Sequence, residues 1–174
     1  MNKESFTGNF ESRKFIAEEG IQYIAFGDSF TREGIMSYMS LREVCPDIPV
    51  CFMTDNLSLL EKIEDVNLIK VLITPQHIRS KVDFITSSPF KKTIYLDSDT
   101  VVVRDITDIF DSLDRFDVAV THDYARKRAK YSNIVPEYSK IPYSFSEVNT
   151  GVMVFNKSDK MLNFEIFPNN SLTI

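Results

Sequence analysis

Short runs of β-branched and aromatic residues recur at Gln22–Phe26, Val50–Met53, Val66–Ile73, Thr93–Leu96, Thr100–Val103, Val118–Thr121 and Val152–Phe155. Most are near-continuous rather than alternating, the pattern of strands covered on both faces. Between the first two runs, Ile35 and Met39 (i, i+4) and Leu41 and Val44 (i, i+3) set helical stripes over Thr31–Cys45. After the third, Thr74-Pro75 breaks the pattern, and Ile78, Val82 and Ile85 mark a second helix that ends before Pro89. Strand, helix, strand, helix in this order predicts an α/β domain with a mainly parallel sheet, whose ligands gather at the carboxyl ends of the strands. Residues 1–20 read as a polar segment and residues 21–174 as one domain. The stretch Tyr124 to Ser146, with Arg126, Lys127, Arg128 and Lys130 followed by Pro136 and Pro142, is a basic excursion. It suits either a solvated loop or a lid over a ligand.

Composition narrows the classes. With 174 residues, 43% hydrophobic and 26% charged, the chain suits one globular domain with a real core, not a disordered or fibrous protein. A formal charge of −5 argues against nucleic acid as a partner. The longest apolar runs, such as Tyr23-Ile24-Ala25-Phe26, hold four residues, against the roughly 20 needed to span a bilayer. The N-terminus lacks an apolar signal core, so a cytoplasmic location is expected. Cys45 and Cys51 read as reduced core thiols. His77 and His122 have no metal-site spacing around them. The five glycines (Gly8, Gly20, Gly27, Gly34, Gly151) form neither a G-x-G-x-x-G fingerprint nor a Walker A loop. Any phosphate must be held by other means.

The strongest chemical signal is Thr93-Ile94-Tyr95-Leu96-Asp97-Ser98-Asp99-Thr100-Val101-Val102-Val103. Two carboxylates at i and i+2 leave an extended chain on one side. Such a pair is costly unless a cation or water lies between them. All-oxygen ligation favours Mg2+ or Mn2+, with a substrate's phosphates and water completing the shell. A metal bridging a diphosphate would replace the missing Gly-rich cradle.

Around this D-x-D, the blocks Tyr23-Ile24-Ala25-Phe26-Gly27-Asp28, Pro49-Val50-Cys51-Phe52-Met53-Thr54-Asp55, Ser80-Lys81-Val82 through Ser88-Pro89-Phe90, Asp105-Ile106 to Ile109-Phe110, Phe116-Asp117-Val118-Ala119 and Glu147-Val148-Asn149-Thr150-Gly151-Val152 follow in order. Over about Gln22 to Lys157 the chain resembles the GT-A glycosyltransferases that use nucleotide-sugar donors, most closely the family 8-like members. The resemblance implies a Rossmann-like GT-A domain with a mainly parallel central sheet. It also implies a metal-dependent transfer of a hexose from a nucleoside-diphosphate sugar to a glycan, lipid or protein acceptor, with retention.

Residue by residue, the resemblance makes Asp97 and Asp99 the ligands of Mn2+ or Mg2+. It places Asp28 at the nucleobase with Phe26 packed beside it, although Asp28 also suits an N-cap or turn. Lys81, with Arg79 as a second candidate, corresponds to a basic residue facing donor sugar or phosphate; a solvated helix cation is the alternative. Ser98 joins the donor-binding group. Asn149 and Gly151 match an N-x-G in which the Asn bonds sugar hydroxyls and the Gly admits a ligand to the backbone. Glu147 and Asp123 are the catalytic candidates on the acceptor side, and His122 reads as structural. Full-length relatives continue to an acidic D-Q type motif and a C-terminal histidine. Residues 164–174 contain neither, which leaves open a fragment, a minimal form, or a non-catalytic nucleotide-sugar-binding module that needs a partner. A nucleotidyltransferase is the third reading, weakened by the absence of a Gly-rich basic loop in Ala25-Phe26-Gly27-Asp28-Ser29-Phe30.

Overall fold

The computed structural model describes residues 15–77, 80–124 and 137–158. Its centre is a six-stranded sheet of order β3-β2-β1-β4-β6-β5. The strands are β1 (Ala17–Ala25), β2 (Val50–Thr54), β3 (Leu68–Leu72), β4 (Phe90–Leu96), β5 (Val118–His122) and β6 (Val148–Asn156). The pairs β1·β2, β1·β4 and β2·β3 are parallel, while β6 is antiparallel to both β4 and β5. The expected mixed α/β architecture with a mostly parallel sheet is the one observed.

Near-continuous apolar runs follow from burial on both faces. Ile21, Tyr23 and Ala25 of β1, Val50 and Phe52 of β2, and Ile94 and Leu96 of β4 enter one core cluster. Their neighbours Ile24, Cys51, Met53 and Tyr95 enter the other, as the two-residue period of a strand requires. Both cysteines are free and buried, and burial pushes the Cys51 thiol up to about 12, which keeps it unreactive.

Several sequence expectations shift. β1 begins at Ala17 rather than Gln22, so residues 17–20, read from the sequence as part of the polar segment, are strand. Glu18 and Glu19 in that stretch pair with Lys91 and Lys92 of β4. Val66, expected in the third strand, is 99% exposed and lies outside it. Thr100–Val103 is not a strand: it runs beside helix α1 (Asp28–Val44), with the Val102 N–H donating to Ser40 Oγ at 2.9 Å. A β-branched run meets strand propensity without finding a ladder partner.

The stripe on α1 holds in part: Leu41 is buried and Ile35 and Val44 pack against the core, but Met39 does not. Met39 is exposed, and the buried face is Thr31, Gly34, Ser37, Tyr38 and Leu41. The helix comes closest to the sheet where Gly34 faces it, while Tyr38 and Leu41 carry the apolar part of the contact. A Cβ at Gly34 would come within 2.8 Å of the Phe52 ring and 3.5 Å of Ser98. Hydroxyls at the contact pair with one another, Thr31 with Thr54 at 2.9 Å and Ser37 with Tyr23 at 3.1 Å, as buried polar groups must. The second helix, α2 (Lys81–Ile85), is short. Ile78, expected to open it, lies outside the described residues. Gln22 Nε2, buried in β1, donates to the Phe84 carbonyl at 3.0 Å and fastens α2 to the sheet. Among the described residues no helix is long and apolar enough to cross a membrane.

At the far end of α1, Asp65 accepts from Arg42 Nε at 2.6 Å, from the Asn67 N–H through its other oxygen at 2.7 Å, and from the Tyr38 hydroxyl. Burial opposes the charge of Asp65, but these hydrogen bonds prevail and hold its carboxyl below the usual value of 3.8. A depressed carboxylate contributes its stability above that value and loses it as pH falls through the folded pKa. Asp65→Asn is therefore expected to cost about 1.5–3 kcal/mol in urea unfolding at neutral pH. The gap to the parent should narrow as pH drops below 3.8.

Candidate functional site

The carboxyl ends of β1 and β4 and the start of β6 meet at one edge of the sheet. Asp97, the first residue after β4, donates its N–H to the Gly151 carbonyl at 2.8 Å. The pairing of β5 with β6 jumps from Val120↔Met153 to Thr121↔Asn149. Thr150–Val152 thus bulges out of the β5 ladder and turns toward β4. Asn149 Oδ1 accepts from the Gly151 N–H at 2.7 Å, and a Cβ on Gly151 would lie 2.9 Å from that oxygen and 3.4 Å from Asp97 Oδ2. Glycine is required there so that Asn149 and Asp97 can share the space.

Asp97 Oδ1 receives two donors, the Tyr95 hydroxyl at 2.5 Å and Lys81 Nζ at 2.9 Å. Tyr95 is 1% exposed. Burial, then the Asp97 charge and the hydrogen bond to it, with a smaller push from Asp99, hold the phenol protonated far above its ordinary range. Its proton is committed to Asp97. Beneath the D-x-D, Thr100 Oγ1 donates to the Asp97 carbonyl at 2.8 Å and contacts Ser37 Oγ at 2.7 Å, which in turn donates to Tyr23. The backbone carrying the carboxylates is thereby pinned to α1 and β1.

These groups open onto a cavity of about 780 Å³, lined by Phe26, Phe30, Pro75–His77, Lys81 and the run Asp97–Asp99, with Ile24, Ala25 and Glu33 completing it. Ser80, 1% exposed, shapes the wall by accepting the N–H groups of Gln76 and His77 at 2.7 and 2.8 Å. The structure brings Phe26, Lys81, Asp97, Ser98 and Asp99 into one lining, with Asn149 and Gly151 against Asp97. Asp28 is the first residue of α1, outside that lining, and its Oδ1 accepts from Asn56 Nδ2 at 2.8 Å. The cap position belongs to Gly27. Glu147 and Asp123 also lie outside the lining. The Asp123 N–H donates to the Glu147 carbonyl at 2.9 Å, and Glu147 accepts from the Tyr138 hydroxyl, at the β5–β6 junction. Arg79 lies outside the described residues.

Phe30, Glu33, His77 and Tyr95 belong to the site or support it without having been singled out from sequence. Phe30, 59% exposed at the mouth, carried the one available signal, an aromatic just after the first strand. Tyr95 read as an apolar strand residue because its single polar atom acts only in the fold. Among the described residues no group of three or more His, Cys, Asp or Glu could by itself hold a metal ion. Asp97 and Asp99 nonetheless suit a hard cation of the Mg2+ or Mn2+ kind, which takes one or two carboxylates and fills its shell with phosphate oxygens and water.

No family model and no curated protein matches the chain. Solved structures do match in fold. The galactosyltransferase LgtC in complex with donor and acceptor sugar analogs is 16% identical with a TM-score of 0.60, over 84% of this chain and 60% of that one. The apo form of the glycosyltransferase GlyE in Streptococcus pneumoniae TIGR4 is 17% identical, TM-score 0.51, over 80% and 34%. The 4-diphosphocytidyl-2C-methyl-D-erythritol synthase from Anaerococcus prevotii DSM 20548 is 9% identical, TM-score 0.60, over 88% and 80%. The chain thus spans 60% and 34% of the two glycosyltransferases. What it shares with them is the GT-A nucleotide-sugar transferase fold.

Of the three buried phenols, Tyr23, Tyr38 and Tyr95, the two held farthest above the ordinary 10.0, chiefly by burial, are Tyr23 and Tyr95. A raised phenol supports the folded state below the unfolded value and destabilises it as pH climbs beyond that value. Near-ultraviolet titration should show these two ionising only together with alkaline unfolding. Tyr95→Phe is expected to remove part of that late step.

Proposed function

We propose that the chain binds a nucleoside-diphosphate sugar in this cavity and transfers its hexose to a hydroxyl of a glycan, lipid or protein acceptor. The observation that carries the reading is the grouping of Asp97, Asp99 and Lys81 in one lining at the carboxyl edge of a GT-A sheet. In the reaction the bond from the anomeric carbon to the phosphate oxygen breaks, and its electron pair leaves on the diphosphate. The acceptor oxygen forms the new bond to the anomeric carbon and gives its proton to the departing phosphate oxygen or to water. A Mn2+ or Mg2+ held by Asp97 and Asp99 would supply electrostatic stabilisation of the departing diphosphate. Tyr95 orients the Asp97 carboxylate for that task, and Lys81 adds a positive charge beside the phosphates. Phe26 and Phe30 offer aromatic faces to a base, and Asn149 offers its amide N–H groups to sugar hydroxyls. Glu147 and Asp123, outside the lining, take the acceptor side. Retention of configuration is included on the strength of the sequence resemblance to family 8-like enzymes.

The match to the cytidylyl-transferring type of synthase, which covers 88% of this chain, supports nucleotidyl transfer as the second reading. That chemistry releases pyrophosphate, whereas glycosyl transfer or hydrolysis releases a nucleoside diphosphate.

Calorimetry and product analysis with Mn2+ and a panel of nucleotide sugars test the proposal. The parent is expected to bind one donor and release its nucleoside diphosphate, and Asp99→Asn to weaken both by about tenfold or more. Equal behaviour of parent and variant would refute the cation role. Binding without release would favour a non-catalytic module, and pyrophosphate from a nucleoside triphosphate plus a sugar phosphate would favour nucleotidyl transfer.

A further inference from the structure

We propose that Lys81 is a built-in counter-cation whose departure from Asp97 couples the loading of the divalent ion to that of the diphosphate. This rests on the cation site proposed above at Asp97 and Asp99. The two donors on Asp97 Oδ1 differ in freedom. The Tyr95 hydroxyl comes from a side chain that is 1% exposed, and its proton has nowhere else to go. The Lys81 ammonium sits on a side chain 43% exposed, at the first residue of a short helix, 2.9 Å from the same oxygen. It can swing on its four-carbon stem while Tyr95 stays in place.

In the ligand-free protein Lys81 neutralises the carboxylate that a metal would need. A divalent ion held by the Asp97 carboxylate would crowd the ammonium with like charge. Cation entry therefore pushes Lys81 off Asp97. The displaced ammonium remains in a lining that also holds Glu33 and Asp99, with His77 Nε2 already set 3.0 Å from Asp83 Oδ2. A diphosphate entering the cavity is the doubly charged partner that draws Lys81 away from these carboxylates. The ion and the diphosphate thus favour the same displacement of Lys81 from Asp97 Oδ1, and whichever binds first eases it for the other. Such coupling is reciprocal.

The test uses the 174-residue chain as parent, Lys81→Met, Lys81→Arg and Asp99→Asn, with free Mn2+ followed by electron paramagnetic resonance. Mn2+ is titrated alone, then with uridine, guanosine, adenosine or cytidine diphosphate added singly. Lys81→Met is expected to bind Mn2+ alone about threefold more tightly than the parent, the scale of a half-exposed ion pair. It should also lose the share of the diphosphate's gain in Mn2+ affinity that runs through Lys81, again about threefold, beyond what direct phosphate coordination gives, while Lys81→Arg keeps the full gain. If Lys81→Met matches the parent in both titrations while Asp99→Asn loses Mn2+, the counter-cation role is wrong and the cation site stands. If Asp99→Asn binds Mn2+ as the parent does, or the parent binds none with any diphosphate, the site itself is wrong and the coupling falls with it. Thermal unfolding checks each variant, and Lys81→Gln carries the same test should Lys81→Met fail to fold.

Discussion

The hydrogen bond from Tyr95 to Asp97 governs the geometry of this sheet edge. A carboxylate that is only partly exposed must be compensated by donors or by charge. The nearest donor is a phenol buried in the second core cluster, whose other members are apolar. Each group answers the other's need: the phenol finds an acceptor in an otherwise apolar layer, and the carboxylate is held in one orientation. Because β4 places Tyr95 and Asp97 two residues apart, the bond forms within a single strand end and needs no distant element to adjust. Everything with a chemical purpose at the edge is then measured from Asp97, from Lys81 on one oxygen to Asn149 and Gly151 beside the other.

What holds that strand end in place is a helix packed through small residues. Had α1 presented Met39 to the sheet, it would have stood away from β2, and Thr100 would have lost Ser37. With Gly34 over Phe52, the hydroxyls of Thr31, Ser37 and Tyr23 are close enough to pair, and the chain Tyr23–Ser37–Thr100 reaches the Asp97 carbonyl. On the opposite face, Gln22 binds the Phe84 carbonyl and sets the position from which Lys81 reaches out. Two buried polar residues of β1, one on each face, thus fix the two sides of the candidate site.

The strands were legible because burial on both faces writes long apolar runs. The D-x-D was legible because two acids set between such runs repel each other at a strand end unless a cation or water separates them. The α1 stripe was legible only in part: Leu41 is buried as its spacing predicts, but Thr31, Gly34 and Ser37 complete the contact, residues whose burial depends on distances that hydropathy does not encode. Thr100–Val103 misled for the converse reason: β-branched residues announce an extended chain but not whether a partner strand exists. Lys81 and Gly151 were legible as positions, yet their tie to Asp97 was not, because that contact depends on how α2 and a bulge in β6 are set against β4.

The small number of glycines acquires a sharper physical meaning from the first strand–helix turn. In many nucleotide-binding sheets the N-terminus of the following helix holds the phosphate with its free N–H groups. Here Gly27 takes that place at φ 77°, a conformation that favours glycine. Its N–H, however, donates to Asp55 Oδ1 at 2.8 Å, and Asp28 stands next to it. A carboxylate already fills the role that a bound anion would take, so the positive end of the α1 dipole is neutralised from within the protein. A phosphate brought there would meet Asp55 and Asp28 as like charges. On the β4 side, by contrast, stands the Lys81 ammonium, together with two carboxylates suited to a metal. On the proposed reading, a diphosphate would find no positive partner at the first turn. On the β4 side it would find one only where a cation on Asp97 and Asp99 offsets their charge and leaves Lys81 free to meet it.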